Sequence, residues 1–143
     1  MSNGATFPHM FGPDSGSNDL TGKSNADVAA FFQSRFVVKD QKLDAQVLAT
    51  ALSVYVTDGT LDSTGVGTQY GFVVGGNGVA TATFNVGANG DAFGVANNTV
   101  MTVLDFLLAA DAQAVNGVLY NGNTARRNMA SNVFSAINQA GGI

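Results

Sequence analysis

Apolar residues along this chain recur first at helical spacing, then at every second position, then at helical spacing again. Val28, Phe31, Phe32 and Phe36 follow one another behind Ser24, and Asp27 stands three residues after that serine. A hydroxyl followed at this distance by a carboxylate marks a helix start, because both side chains can satisfy orphan amides of the first turn. The spacing predicts a helix over about 25–37. Val47, Leu48, Ala51, Leu52 and Tyr55 predict a second over about 43–57, and the short polar link Lys39-Asp-Gln-Lys42 implies that the two pack as a hairpin.

Beyond the turn-rich tract from Asp58 to Gly67 the period changes to two. Tyr70, Phe72 and Val74 alternate with smaller neighbours, and Ala80, Ala82, Phe84 and Val86 oppose Val79, Thr81, Thr83 and Asn85. This alternation predicts an antiparallel β-hairpin over 70–86, with Asn77-Gly78 supplying the positive φ angles of its turn. Thr102 and Asp105 then repeat the cap pattern ahead of Phe106, Leu107, Ala110 and Ala114, in a helix that stops at Asn116-Gly117. Thr124 opens a fourth helix with Met129, Ala130, Val133, Phe134 and Ile137 on one face, so that 103–140 forms a second helical hairpin.

The fold class this implies is α+β, mainly α: two helical hairpins flank a small antiparallel β-hairpin or sheet. Its expected core holds Phe31, Phe32, Leu48, Leu52, Phe84, Phe106, Leu107, Val133, Phe134 and Ile137. At 143 residues, 45% of them hydrophobic, the chain can bury this core as a single domain over 1–143. Residues 1–20 read as an N-terminal arm that Phe7, Met10 and Phe11 anchor on the core, stiffened by Pro8 and Pro13. The arm's opening shows neither the basic region nor the apolar stretch of a signal peptide.

Composition narrows the partners. A net charge of -4 argues against nucleic acid and anionic membrane as ligands, and no apolar run is long enough to insert into a membrane. There is no cysteine, which removes disulfides and thiolate chemistry. All ten acidic residues are Asp. A small hydrolase using paired Asp carboxylates, glycosidase-like, is the alternative function, but the usual Glu acid and the Trp platform for sugar stacking are both missing. His9, the sole histidine, has no nucleophile motif beside it. An enzyme is therefore the less expected reading.

The stretch from Phe84 to Thr99 carries most of the candidate chemistry. Gly87, Gly90 and Gly94 match no phosphate-binding loop, and the first reading is a glycine-rich turn from a strand into a helix cap. Asn85, Asn89 and Asp91 are also hard oxygen donors at alternating positions, a pattern suited to calcium, and Asp58 with Asp62 forms a second such pair. Thr81 and Thr83 face one side of the predicted hairpin, whose edge can take another strand. The N-terminal arm, residues 92–96 or a second copy of the chain would cover that edge. Arg126 and Arg127 fall in the first turn of the fourth helix, where they can pair with Asp105 or Asp111 or meet a partner. Asn97-Asn-Thr99 is a glycosylation sequon.

Five stretches together carry a resemblance: L20-T-G-K-S-N-A-D-V-A-A-F-F-Q-S, D44-A-Q-V-L-A-T-A-L-S-V-Y-V-T-D, Y70-G-F, F84-N-V-G and F134-S-A-I-N-Q-A-G-G-I143. Over nearly its whole length the chain resembles the uncharacterised C-terminal module of long, secreted, multidomain bacterial surface proteins, often found behind Ig-like or Cna-B-like repeats. The resemblance implies a secreted or cell-surface setting and a role in attachment or homotypic association rather than turnover. The partner it implies is a second copy, another cell-surface protein or a polysaccharide. No catalytic residue is implied by it.

Overall fold

The computed structural model of the chain describes residues 7–37, 42–57 and 78–140. Among them are four α-helices: α1 (Asn25–Val37), α2 (Lys42–Thr57), α3 (Val103–Ala112) and α4 (Thr124–Gln139). Two antiparallel two-stranded sheets join them, β1 (Thr83–Asn85) with β2 (Val100–Thr102) and β3 (Ala114–Val115) with β4 (Val118–Leu119). The fold is α+β and mainly α, as the change of hydrophobic period implies.

Helix α2 is the hub. Leu43, Ala45, Val47, Leu48, Ala51 and Val54 are all buried, a face much wider than one stripe, and it receives α1, α3 and α4. Thr50 is buried as well, with its hydroxyl 3.0 Å from the Gln46 carbonyl and 2.9 Å from Asn138 Oδ1. Asn138 Nδ2 in turn donates to Gln46, so the polar groups trapped between α2 and α4 are satisfied. Both helix starts read from the sequence are present. The Asp27 amide donates to Ser24 Oγ, and Thr102 with Asp105 forms a reciprocal capping box at the head of α3.

Of the expected core, Leu48, Phe106, Leu107, Val133, Phe134 and Ile137 are buried, while Phe31, Phe32, Leu52 and Phe84 pack half-buried against it. Phe93 joins them from the 3-10 turn Gly90–Phe93, its ring 4.9 Å from Phe106 and 5.9 Å from Phe134 in edge-on geometry. The arm behaves as expected too. Phe7, Met10 and Phe11 are buried, and the carboxylate of Asp111 on α3 accepts the backbone amides of His9 at 3.0 Å and Met10 at 2.9 Å.

Two elements differ from the sequence reading. Residues 78–81 form a 3-10 turn instead of the start of a strand, and β1 pairs with β2, Phe84 opposite Met101. The other expected strand, 70–75, lies outside the described residues. Helix α3 ends at Ala112, and Asn116-Gly117 turns the β3–β4 hairpin instead of capping a longer helix. Both turn residues have positive φ, 50° and 82°, which is what a two-residue hairpin turn requires. No helix among the described residues is long and apolar enough to cross a membrane.

Candidate anion-binding cleft

A cleft of about 850 Å³ opens where five parts of the chain meet. The 3-10 turn of the arm, Gly16–Asn18, contributes Ser17 and Asn18. The end of α1 contributes Arg35, the start of α2 Lys42, Leu43 and Asp44, and the β3–β4 turn Asn116, Gly117 and Val118. Gly122, Thr124, Arg127, Asn128 and Ser131 close it from the head of α4.

The local sequence explains why these parts converge. Helices α1 and α2 pack on each other, which brings Arg35 near the end of one and Asp44 near the start of the other to the same surface. Gly117 lets the hairpin seat directly on the arm: a Cβ there would lie 2.5 Å from the Ser15 carbonyl oxygen, and the Gly117 oxygen accepts from Asn18 Nδ2 at 2.9 Å. Asn18 Oδ1 in turn accepts from the Arg35 guanidinium, which lies 4.6 Å over the Phe31 ring. Tyr120, Asn121 and the lining residue Gly122 are three successive left-handed residues, with φ of 57°, 48° and 78°. A bulky residue at positive φ is rare and strained, and here the turn carries the chain from β4 into the N-cap of α4. The Tyr120 hydroxyl is buried without a hydrogen-bond partner among the described residues, and burial pushes its pKa up.

The electrostatics of the cleft oppose those of the chain. Three of its six Lys and Arg residues, Arg35, Lys42 and Arg127, line this one surface, and among the described residues they face a single carboxylate, that of Asp44. Arg127 donates to the Leu119 carbonyl at 3.1 Å and stands 3.5 Å from Asp44, a looser approach than a charge-assisted bond of about 2.8 Å. Both side chains of that pair are only 16% exposed. Burial raises the Asp44 pKa, while Arg127 and Arg35 pull it back down. The heads of α2 and α4 add the positive ends of two helix dipoles.

The residues singled out in the sequence are distributed differently. Arg127 lines the cleft and pairs with Asp44, and Arg126 pairs with Asp91 at 3.1 Å, so neither takes the expected Asp105 or Asp111. Asp105 is committed to its capping box and Asp111 to the arm. Around Asp91 the loop is tied by its own side chains. Asn85 Oδ1 accepts the Gly87 amide at 2.7 Å, Asn89 Oδ1 accepts Asn132 Nδ2 at 3.2 Å, and Asn97 Oδ1 accepts the Gly90 amide at 3.1 Å. Of the oxygens nominated for calcium, that of Asn85 thus closes a turn, while those of Asn89 and Asp91 meet Asn132 and Arg126 on α4. Asp58 and Asp62 lie outside the described residues. Thr81 is exposed on its 3-10 turn, and Thr83 is exposed on β1 opposite Thr102. His9 sits on the half-exposed arm with its ring 3.7 Å from Asp14. Among the described residues no group of three or more His, Asp or Glu side chains converges in a way that could hold a metal.

Sequence reasoning missed Arg35, Lys42 and Asp44. The signal available was scarcity: in a chain with so few cations, where they gather is informative. Comparison with protein-family models, with curated proteins and with solved structures found no match.

Proposed function

We propose that this chain is a non-enzymatic interaction module of a secreted or cell-surface bacterial protein, and that it attaches to its partner by capturing an acidic group in the cleft. One observation carries the reading: half of the cations of a chain with net charge -4 line a single concave surface. An acidic chain repels anionic partners at long range, so such a concentration acts only on a ligand that enters the cleft. The setting rests on the resemblance of the chain to modules of bacterial surface proteins. Its test is isothermal titration with small and polymeric anions on the intact chain and on Lys42→Gln. Lys42 is exposed at the first position of α2, so its replacement removes charge without opening the core. Saturable binding that weakens several-fold in the variant supports the reading. Turnover of a polysaccharide, abolished by Asp→Asn changes, would instead favour the paired-Asp hydrolase.

Homotypic association is a second form of the same role. It is favoured by the β1–β2 ribbon, where Thr83 and Val100 are exposed and Val100 keeps 61% of its surface in solvent. Concentration-dependent dimerisation in light scattering, lost in Thr83→Pro, is the result expected of it.

A further inference from the structure

We infer that the acidic ligand of the cleft is a carboxylated oligosaccharide, a short uronate-bearing segment of a polysaccharide; this rests on the capture of an acidic group proposed above. The volume, about 850 Å³, falls within the range of sites that enclose a small molecule and far exceeds what one inorganic anion needs. What surrounds the cations decides the class. Asn18, Asn116, Asn128, Ser17, Thr124 and Ser131 present amides and hydroxyls, groups that both donate and accept, as sugar hydroxyls require of their partners.

Other acidic partners fit less well. Protein interfaces concentrate their energy in buried aromatic anchors, yet among the described residues the lining holds no aromatic side chain, and its larger aliphatic ones are Leu43 and Val118. Single-stranded nucleic acid needs aromatic faces on which bases stack, and the described lining residues supply none. Neutral glycans also lean on aromatic platforms. Without one, a sugar must be held by charge and hydrogen bonds, which is what a ring bearing a carboxylate offers at every residue. The cleft already accommodates one carboxylate beside Arg127, that of Asp44, at a separation that leaves room for competition.

The division of labour follows. Lys42 and Arg127 take the carboxylate, and Asn128 and Ser131, one helical turn apart on α4, take ring hydroxyls.

The test is calorimetric titration of the intact chain with trigalacturonate, the matched neutral trisaccharide, polyaspartate, a sulfated disaccharide and inorganic sulfate. The expected result is binding of trigalacturonate at least tenfold tighter than any of the other four. Lys42→Gln should weaken it about tenfold, and Asn128→Ala with Ser131→Ala should weaken trigalacturonate while leaving the response to sulfate unchanged. Binding of polyaspartate, sulfate or the sulfated sugar at equal strength overturns the uronate assignment but keeps the capture of an acidic group. No response to any anion overturns both. Because Arg127 is partly structural, the exposed Lys42 and α4 variants carry the test, with circular dichroism confirming that each is folded.

Discussion

Asp111 and Asp44 are both largely withdrawn from solvent and both have pKa values raised by burial, yet they do opposite kinds of work. Asp111 accepts two backbone amides from the arm and closes a contact within the fold. Asp44 faces two guanidiniums across an open cleft, with its ion pair stretched to 3.5 Å. The difference lies in the partners: neutral backbone amides make a latch, whereas guanidiniums lining an open cleft make a place where another carboxylate can compete. A raised pKa alone does not distinguish the two, since desolvation is the leading cause in both.

The largest expected effect comes from breaking the latch. Asp111→Ala leaves the His9 and Met10 amides without an acceptor, at a cost of about 3 kcal/mol, which chemical denaturation should show as a lowered midpoint. Asp111→Asn keeps an acceptor oxygen and should cost about 1 kcal/mol or less. Neither should change ligand affinity.

Asp44→Asn should do the reverse. It removes the negative charge that Asp44 places in the cleft, so affinity for an acidic ligand should rise by roughly three- to tenfold, a Coulomb gain on the order of 1 kcal/mol. Titration of wild type against the variant with the same anion checks this. Stability above the raised folded pKa should hold or rise slightly, because burial already disfavours the ionised carboxylate there and Asn is neutral.

The pH dependence separates the two sites further. Each carboxyl holds its proton more tightly folded than unfolded. Its contribution to stability is therefore complete below the unfolded value near ~4 and is lost as pH rises through the raised folded value. Across that window both Asp44→Asn and Asp111→Asn should flatten the pH dependence of unfolding. Only Asp44→Asn should flatten the pH dependence of binding, which in wild type strengthens as pH falls while the ligand stays ionised. The groups facing Asp44 are Arg127 from α4 and Arg35 from α1, with Lys42 two residues before it on α2.

The smallest effect belongs to Asp91. Its pair with Arg126 is exposed, 65% and 42% respectively, and Asp91→Asn should change stability by less than about 0.5 kcal/mol.

What could be read in advance follows the same division between local and convergent features. The caps at Ser24 and Thr102 are legible because donor and acceptor are three residues apart, and the arm is legible because Phe7, Met10 and Phe11 have nowhere else to go. The Asn116-Gly117 hairpin is obscured because Ala114 and Val115 prolong the apolar run of α3, although that dipeptide is itself a strong turn signal. Pairing of Phe84 with Met101 spans a loop whose closure depends on Phe93 entering the core, which no short window reveals. The cleft is harder still. Arg127 is visible at a helix start, but Asn18, Arg35 and Asp44 meet it only after the arm, both early helices and the second hairpin have docked.

The most direct measurement of the central claim is amide chemical-shift mapping on the isotope-labelled chain during titration with a uronate oligosaccharide. Saturable shifts should gather at Asn18, Lys42, Asp44, Gly117 and Asn128 and leave Asp91 and Asp111 unmoved. Shifts centred on the 85–99 loop or on the β1–β2 ribbon, with the cleft silent, would contradict it.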